Sequence, residues 1–228
     1  LDPKNNIIKI KSGQWFVEQP LIVPPGFSLE AEDGVTLLFN KDSYIFSYGQ
    51  INFRGTRASR IKLSSQNPNQ YWKGIKIFGN PELPSSIFNH VTISNTTLLK
   101  ENGWSINAGF FAYKINLNMS DVLIENNNCE DAINIVNSKF TIREINIENA
   151  ISDAIDSDFS SGAIIGGSFT DIGYIGGGDA LDFSGSQVLL EDLLITNISD
   201  KGLSVGEKSE VKAKGLMISN LSVAIAVK

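Results

Sequence analysis

The sequence predicts an all-β, single-domain solenoid of stacked coils, and three observations carry that prediction. A short pattern returns at EDAINI from 130, SDAIDS from 152, GDALDF from 178, DKGLSV from 200 and SVAIAV from 222. The second residues of these lines, Asp131, Asp153, Asp179, Lys201 and Val223, are separated by 22, 26, 22 and 22 positions. An amide or acid also recurs at one fixed place, at Asn95, Asn126, Asn149, Asp171, Asn197 and Asn220. Finally, the apolar runs are short and alternating, with no helical periodicity.

Taken in chain order, residues 1–71 (LIVPPGFSLEAEDGVTLLF, then INFRGTRASRIKLSS) read as less regular opening coils, and 72–228 as regular repeats. GFFAYK, from Gly109, stands 22 residues before the first acidic line. Two insertions interrupt the same turn: TLLKENGWSINA before Gly109, and YIGG (Tyr174–Gly177), which converts a 22 into a 26. A second line recurs within each unit as FTIREINIEN, VLLEDLLITN and VKAKGLMISN. Rungs should lie about 4.8 Å apart. The Asn column should bond its neighbours and the backbone at one turn.

In an alternating strand every second side chain faces inward. Ile133/Ile135, Ile155/Ser157, Leu181/Phe183, Leu203/Val205 and Ile225 are the expected core side. Ala132, Ala154, Ala180 and Gly202 should then face solvent, beside Asn134, Asp156, Asp182, Ser204 and Asp158.

Composition narrows the function. A net charge of −6 without a Lys/Arg stripe argues against nucleic-acid binding, which needs cations to neutralise phosphates. No apolar run approaches the roughly 20 residues of a helical membrane span. One cysteine excludes an internal disulfide, and one histidine excludes the usual zinc sets. The opening LDPKNN shows no targeting signal, and the chain stops in mid-pattern, so the reading here is a truncated piece of a longer chain with further domains.

The repeats and the Asn column resemble the right-handed parallel β-helices of the pectate-lyase-like superfamily, over roughly residues 72–228. EDAINIVNS, SDAIDSDFS, GGDALDFSGS and DKGLSVGEKS are similar to repeats of bacterial envelope or secreted β-helix modules. The resemblance implies the fold and an envelope or secreted location; it does not bring one activity. Pectin-cleaving hydrolases of this fold carry Asn-Thr-Asp, Asp-Asp, Gly-His and Arg-Ile-Lys elements, which SDAID and GGDALD match only loosely. The one histidine lies far upstream, and RIK occurs only at 60–62. Lyases of the fold use a Lys or Arg base, often with calcium; Lys201 or Lys208 could be such a base and Glu207 a calcium ligand.

The residues leave three readings open. Asp156 and Asp182 occupy one position in adjacent coils, about 5 Å apart, where like charges repel. A shared proton, a cation or a ligand would compensate, and with Asp158 they could hold calcium through oxygen ligands. Trp104 and Tyr174, in the two insertions, could border that groove as stacking platforms for a polysaccharide or oligosaccharide. Lys201 beside Asp179 reads as an ion pair. The leading reading is a module that binds or presents carbohydrate through an acidic outer groove. The second is a polysaccharide lyase or glycoside hydrolase, and the third a structural spacer or adhesin segment. Trp15 and Trp72 are expected to pack the first coils, Cys129 to be a small buried residue, and His90 to be a surface or turn residue.

Overall fold

A computed structural model describes residues 6–175 and 177–228, so LDPKN of the opening segment and Gly176 of the YIGG insertion lie outside the described residues. It is an all-β parallel solenoid with about 23 residues per coil, a right-handed parallel β-helix. Three parallel sheets run its length. Strands Ile7–Ile10, Ser28–Ala31 and Ile51–Arg54 open the first sheet, and Gly13–Val17, Val35–Phe39 and Ile61–Ser65 open the second. Leu21–Val23, Ile45–Ser47 and Ile75–Phe78 open the third, which continues through Ala108–Tyr113, Asp131–Val136, Asp153–Asp158 and Leu181–Ser184.

From Ser86 onward the first two sheets are joined by strands that run through both. At this step Asn116–Asn127 and Lys139–Ala150 bend at left-handed Asp121 and Glu144 (φ 51° each), and Ser161–Ile172 at the positive-φ pair Gly166 and Gly167 (φ 73° and 129°). That short bend is the first corner. The second corner, between the second and third sheets, holds both insertions and the Asn column. The third corner returns the chain to the first sheet.

Parallel in-register pairing stacks each residue on its counterpart one coil away, so inward columns become continuous. Ile133 pairs with Ile155, Ile155 with Leu181 and Leu181 with Leu203, all essentially buried. Each such side chain contributes roughly 1.5–3 kcal/mol on leaving water. Ile225 continues this column opposite Leu203 but is 51% exposed, because no described rung covers its far side. Trp72 is buried and stacks on Phe39 at 3.9 Å, as expected of a packing residue. Trp15 departs from that expectation: it pairs with Leu37 in the first rung of its sheet and stays about half exposed.

The small-residue column corrects the simple alternation. Ala132, Ala154 and Ala180 are fully buried members of the core, and Gly202 is buried too. Strand pairing skips this position: Asp131 pairs with Asp153 and Ile133 with Ile155, with no partner for Ala132 between them. The chain is still turning there, so the side chain points into the second corner. A Cβ on Gly202 would come within 3.2 Å of the Ile218 side chain, so the column is small because the corner is narrow.

The Asn column forms the expected stack. All six members are left-handed, with φ between 55° and 59°. Asn126 Nδ2 donates to Asn95 Oδ1 at 3.2 Å, Asn149 to Asn126 at 3.5 Å and Asn197 to Asp171 at 3.0 Å; Asn220 donates to Asn197. The partners are neighbouring side chains rather than backbone, and the amides from Asn126 onward sit at the surface, not in a buried turn.

A second ladder, unforeseen from sequence, runs down the third corner. The backbone N–H groups of Ile115, Ser138, Ser160 and Ser186 donate to the hydroxyls of Ser138, Ser160, Ser186 and Ser209, at 3.0–3.2 Å. Ser138, Ser160 and Ser186 are buried, so these hydroxyls satisfy donors that water cannot reach.

Candidate functional site

The outer face of the third sheet is where the unusual side chains collect. Register fixes one outward column as Phe46, Lys76, Phe111, Asn134, Asp156, Asp182 and Ser204. Beside it runs Phe78, Tyr113, Val136, Asp158 and Ser184. The face is therefore aromatic in its earlier coils and acidic in its later ones.

The aromatic half is continuous. Phe46 stacks on Phe78 at 5.1 Å, and Phe78 contacts Phe111 at 5.4 Å and Tyr113 at 5.8 Å. Tyr44 and Tyr48 flank Phe46 at 6.5 and 5.2 Å. Trp104 approaches Phe46 edge-on at 6.4 Å, within the ring-pair range. It gets there on a hairpin, Leu99–Glu101 with Trp104–Ile106, which Lys73 anchors through Glu101 at 3.6 Å. Trp104 and Tyr48 stay about half exposed.

Lys76 belongs to the outward column yet is fully buried. Its Nζ donates to the carbonyls of Ala108 (2.6 Å) and Gly109 (3.2 Å). The preceding strand begins only at Ile75, after left-handed Gly74, and pairing with the next coil starts at Phe110. The ammonium thus replaces backbone donors missing at that step. Burial pulls its pKa down to about 7.

The acidic half is more buried than a solvated stripe. Asn134 Nδ2 donates to Asp156 Oδ2 at 2.8 Å. Burial, then the neighbouring carboxylates Asp158 and Asp182, push Asp156 up to about 7. Burial and the surrounding acids likewise push Asp153 to about 6 and Asp131 to about 9, and raise Asp158. Asp153 and Asp179 also hold the strand entry. Asp153 accepts the N–H of Asp179 at 2.8 Å, and Asp179 accepts the N–H of Lys201 at 3.0 Å. The Lys201 ammonium binds Asp179 at 3.2 Å and also Asp200, so its charge is committed to these partners.

The structure thus brings Asp156, Asp158 and Asp182 together on one face, with Trp104 on the aromatic half of the same sheet. Tyr174 stands elsewhere, at the second corner beside Asp171, Asn197 and Ser199, and is 55% exposed. Among the described residues no three His, Cys, Asp or Glu side chains form a group that could hold a metal ion. Cys129 is buried, which raises its thiol to about 12.

Sequence reasoning missed the aromatic face, although YIFSY at 44–48 alternates aromatic residues with period two. It also missed the corner cluster of His90. Asp121 binds Arg60 Nη1 at 2.6 Å and His90 Nδ1 at 2.7 Å, tying three coils. These residues are 31 and 61 positions apart, outside the 22-residue register.

No protein-family model matches this chain, and neither does any curated protein. Among solved structures it is similar to WceF of Pantoea stewartii, described as a glycan biofilm-modifying enzyme with a bacteriophage tailspike-like parallel β-helix fold. The identity is 11% and the TM-score 0.33, over 93% of this chain and 33% of that one. The chain spans about a third of that protein's length, and the likeness is one of fold alone.

Proposed function

We propose that this protein is a carbohydrate-binding module of an envelope or secreted protein, and that it holds a glycan along the outer face of the third sheet. One observation carries the reading: seven aromatic rings in continuous contact lead directly into a column of carboxyl and amide groups on the next strands of the same sheet. Rings offer flat apolar area to the C–H faces of sugars, and Asn134, Asp156 and Asp182 offer fixed partners for hydroxyls. From Phe46 to Asp182 is five rungs, or about 24 Å, which suits an oligosaccharide rather than a single sugar.

The test is titration with a panel of neutral, amino-bearing and uronate oligosaccharides, followed by calorimetry and by Trp104 fluorescence. Binding should weaken about tenfold or more in Trp104→Ala and Tyr48→Ala. If no member of the panel binds, or if binding ignores both changes, the face is a structural surface and the spacer reading stands.

Asp156 supports a second reading, a glycoside hydrolase or lyase. A carboxyl group with a pKa of about 7 is partly protonated at neutral pH, as a general acid requires. Release of reducing ends or unsaturated products, abolished in Asp156→Asn with binding retained, would establish it. Asp156 and Asp182 lie side by side on one sheet, however, and do not flank a bond as paired glycosidase carboxyls do.

A further inference from the structure

The third corner carries a site of opposite chemistry. Phe159 is left-handed (φ 49°), a conformation rare for a bulky side chain, and it is 65% exposed. Its ring is not loose. A Cβ placed on Gly185 would lie 2.6 Å from Phe159 Cδ1 and 2.9 Å from Cε1, so the ring rests on glycine backbone one coil away. With one side seated, the other is left toward solvent. The left-handed backbone is that of the corner itself, shared by Asn137, Gly185 and Lys208 in neighbouring coils, and it turns the ring outward.

The ring borders an open cavity of about 350 Å3. Lys139 and Lys208 line it, together with Asn137 and Gln187. None of the described residues lining it is acidic, although the whole chain carries a net charge of −6. Among the described residues neither lysine makes an ion pair. Two unpaired cations, two amide side chains and a seated ring therefore share one concave site.

We propose that this corner binds a sugar unit bearing a sulfate or phosphate ester. The pyranose would lie against Phe159, its hydroxyls would meet Asn137 and Gln187, and the ester would sit between Lys139 and Lys208. Lysine acts as a point charge and is an established phosphate binder, and two lysines can share the three terminal oxygens of such an ester, where a carboxylate offers only two. The site shares no residue with the face of the third sheet, so either can fail without the other.

The Phe159 ring resonances, read by NMR, test it against glucose 6-phosphate, glucose 6-sulfate, glucuronate, glucose and inorganic phosphate. Saturable shifts are expected with one or both esters, and at least about tenfold weaker binding of the other three. Lys139→Ala with Lys208→Ala should weaken ester binding by about tenfold or more and flatten its salt dependence. Phe159→Asn, which keeps a residue tolerant of the left-handed backbone, should do the same with an unchanged melting temperature. If that variant melts early, the surface lysine pair decides. The proposal is overturned if glucuronate matches both esters, if inorganic phosphate binds as tightly as they do, or if the ring does not respond.

Discussion

Asn134 donates its amide to Asp156 Oδ2, and this 2.8 Å bond is the junction between the aromatic and acidic halves of the third sheet. A donor at that point favours the charged form of Asp156, opposing the burial and neighbouring carboxylates that disfavour it. Asn134→Ala should raise the Asp156 pKa further, and Asn134→Asp should raise it more. Carboxyl 13C shifts followed through a pH titration check both. An unchanged midpoint in each variant would show that the amide does not tune the acid.

The acidic half makes stability depend on pH with a defined sign. Asp153 and Asp156 have folded pKa values of about 6 and about 7, above the ordinary carboxylate value near 4. The folded state therefore binds more protons than the unfolded state between those limits, and stability falls as pH rises through them. The melting temperature should drop between pH 4.5 and 8, a loss of up to about 5 kcal/mol from these two groups, reduced by solvent screening at their exposed edges. Asp156→Asn with Asp182→Asn should flatten the drop and stabilise the protein at pH 8. Where cations act by screening alone, calcium and magnesium at millimolar levels should recover stability equally. A calcium-specific gain that the double variant loses would instead place a cation on Asp156, Asp158 and Asp182.

Lys76 should act in the opposite direction. Its folded pKa of about 7 lies below its unfolded value, so its contribution rises as pH increases from about 7 toward 10. Lys76→Met should remove that rise. It should also cost about 1–3 kcal/mol by orphaning the carbonyls of Ala108 and Gly109. Urea denaturation at pH 7 and pH 9.5 separates the two effects.

The two ladders should differ in strength. Ser160 accepts the N–H of Ser138 at 3.0 Å and donates to the Asp158 carbonyl at 2.8 Å, inside the corner. Ser160→Ala leaves both groups buried and should cost about 1–3 kcal/mol in chemical denaturation. Asn149 is exposed and left-handed (φ 57°). Asn149→Ala should cost about 1–2 kcal/mol, chiefly from its backbone conformation, and Asn149→Gly clearly less. Equal losses in the two Asn149 variants would make the side-chain stack the larger contribution.

The fold was legible because parallel stacking forces a residue in one coil to resemble its neighbour in the next. Asp131 to Val223 and Asn126 to Asn220 are copies of one constraint written at one period. What escaped lies where that translation fails. Ala132 and Ala180 turn inward because the strand is still bending, which alternation alone cannot show. Phe46, Phe78 and Phe111 occupy coils of unequal length, so no single spacing joins them. Ser138, Ser160, Ser186 and Ser209 do keep the period and could have been found. Serine is common enough at turns that its column was lost among the others.

The corners differ in how much chain they admit, and this has a practical outcome. The first corner turns on one or two positive-φ residues between strands paired on both sides, so an extra residue there would shift every rung that follows. The second corner already contains a hairpin at 99–106, and the sequence carries four extra residues, 174–177, before Gly178, while the sheets on either side stay in register. Foreign peptides grafted after Asn127, Ala150 or Ile198 should leave the solenoid intact and emerge beside the aromatic and acidic face. New specificities could then be built next to that surface by exchanging loops at a single edge, without redesigning a strand.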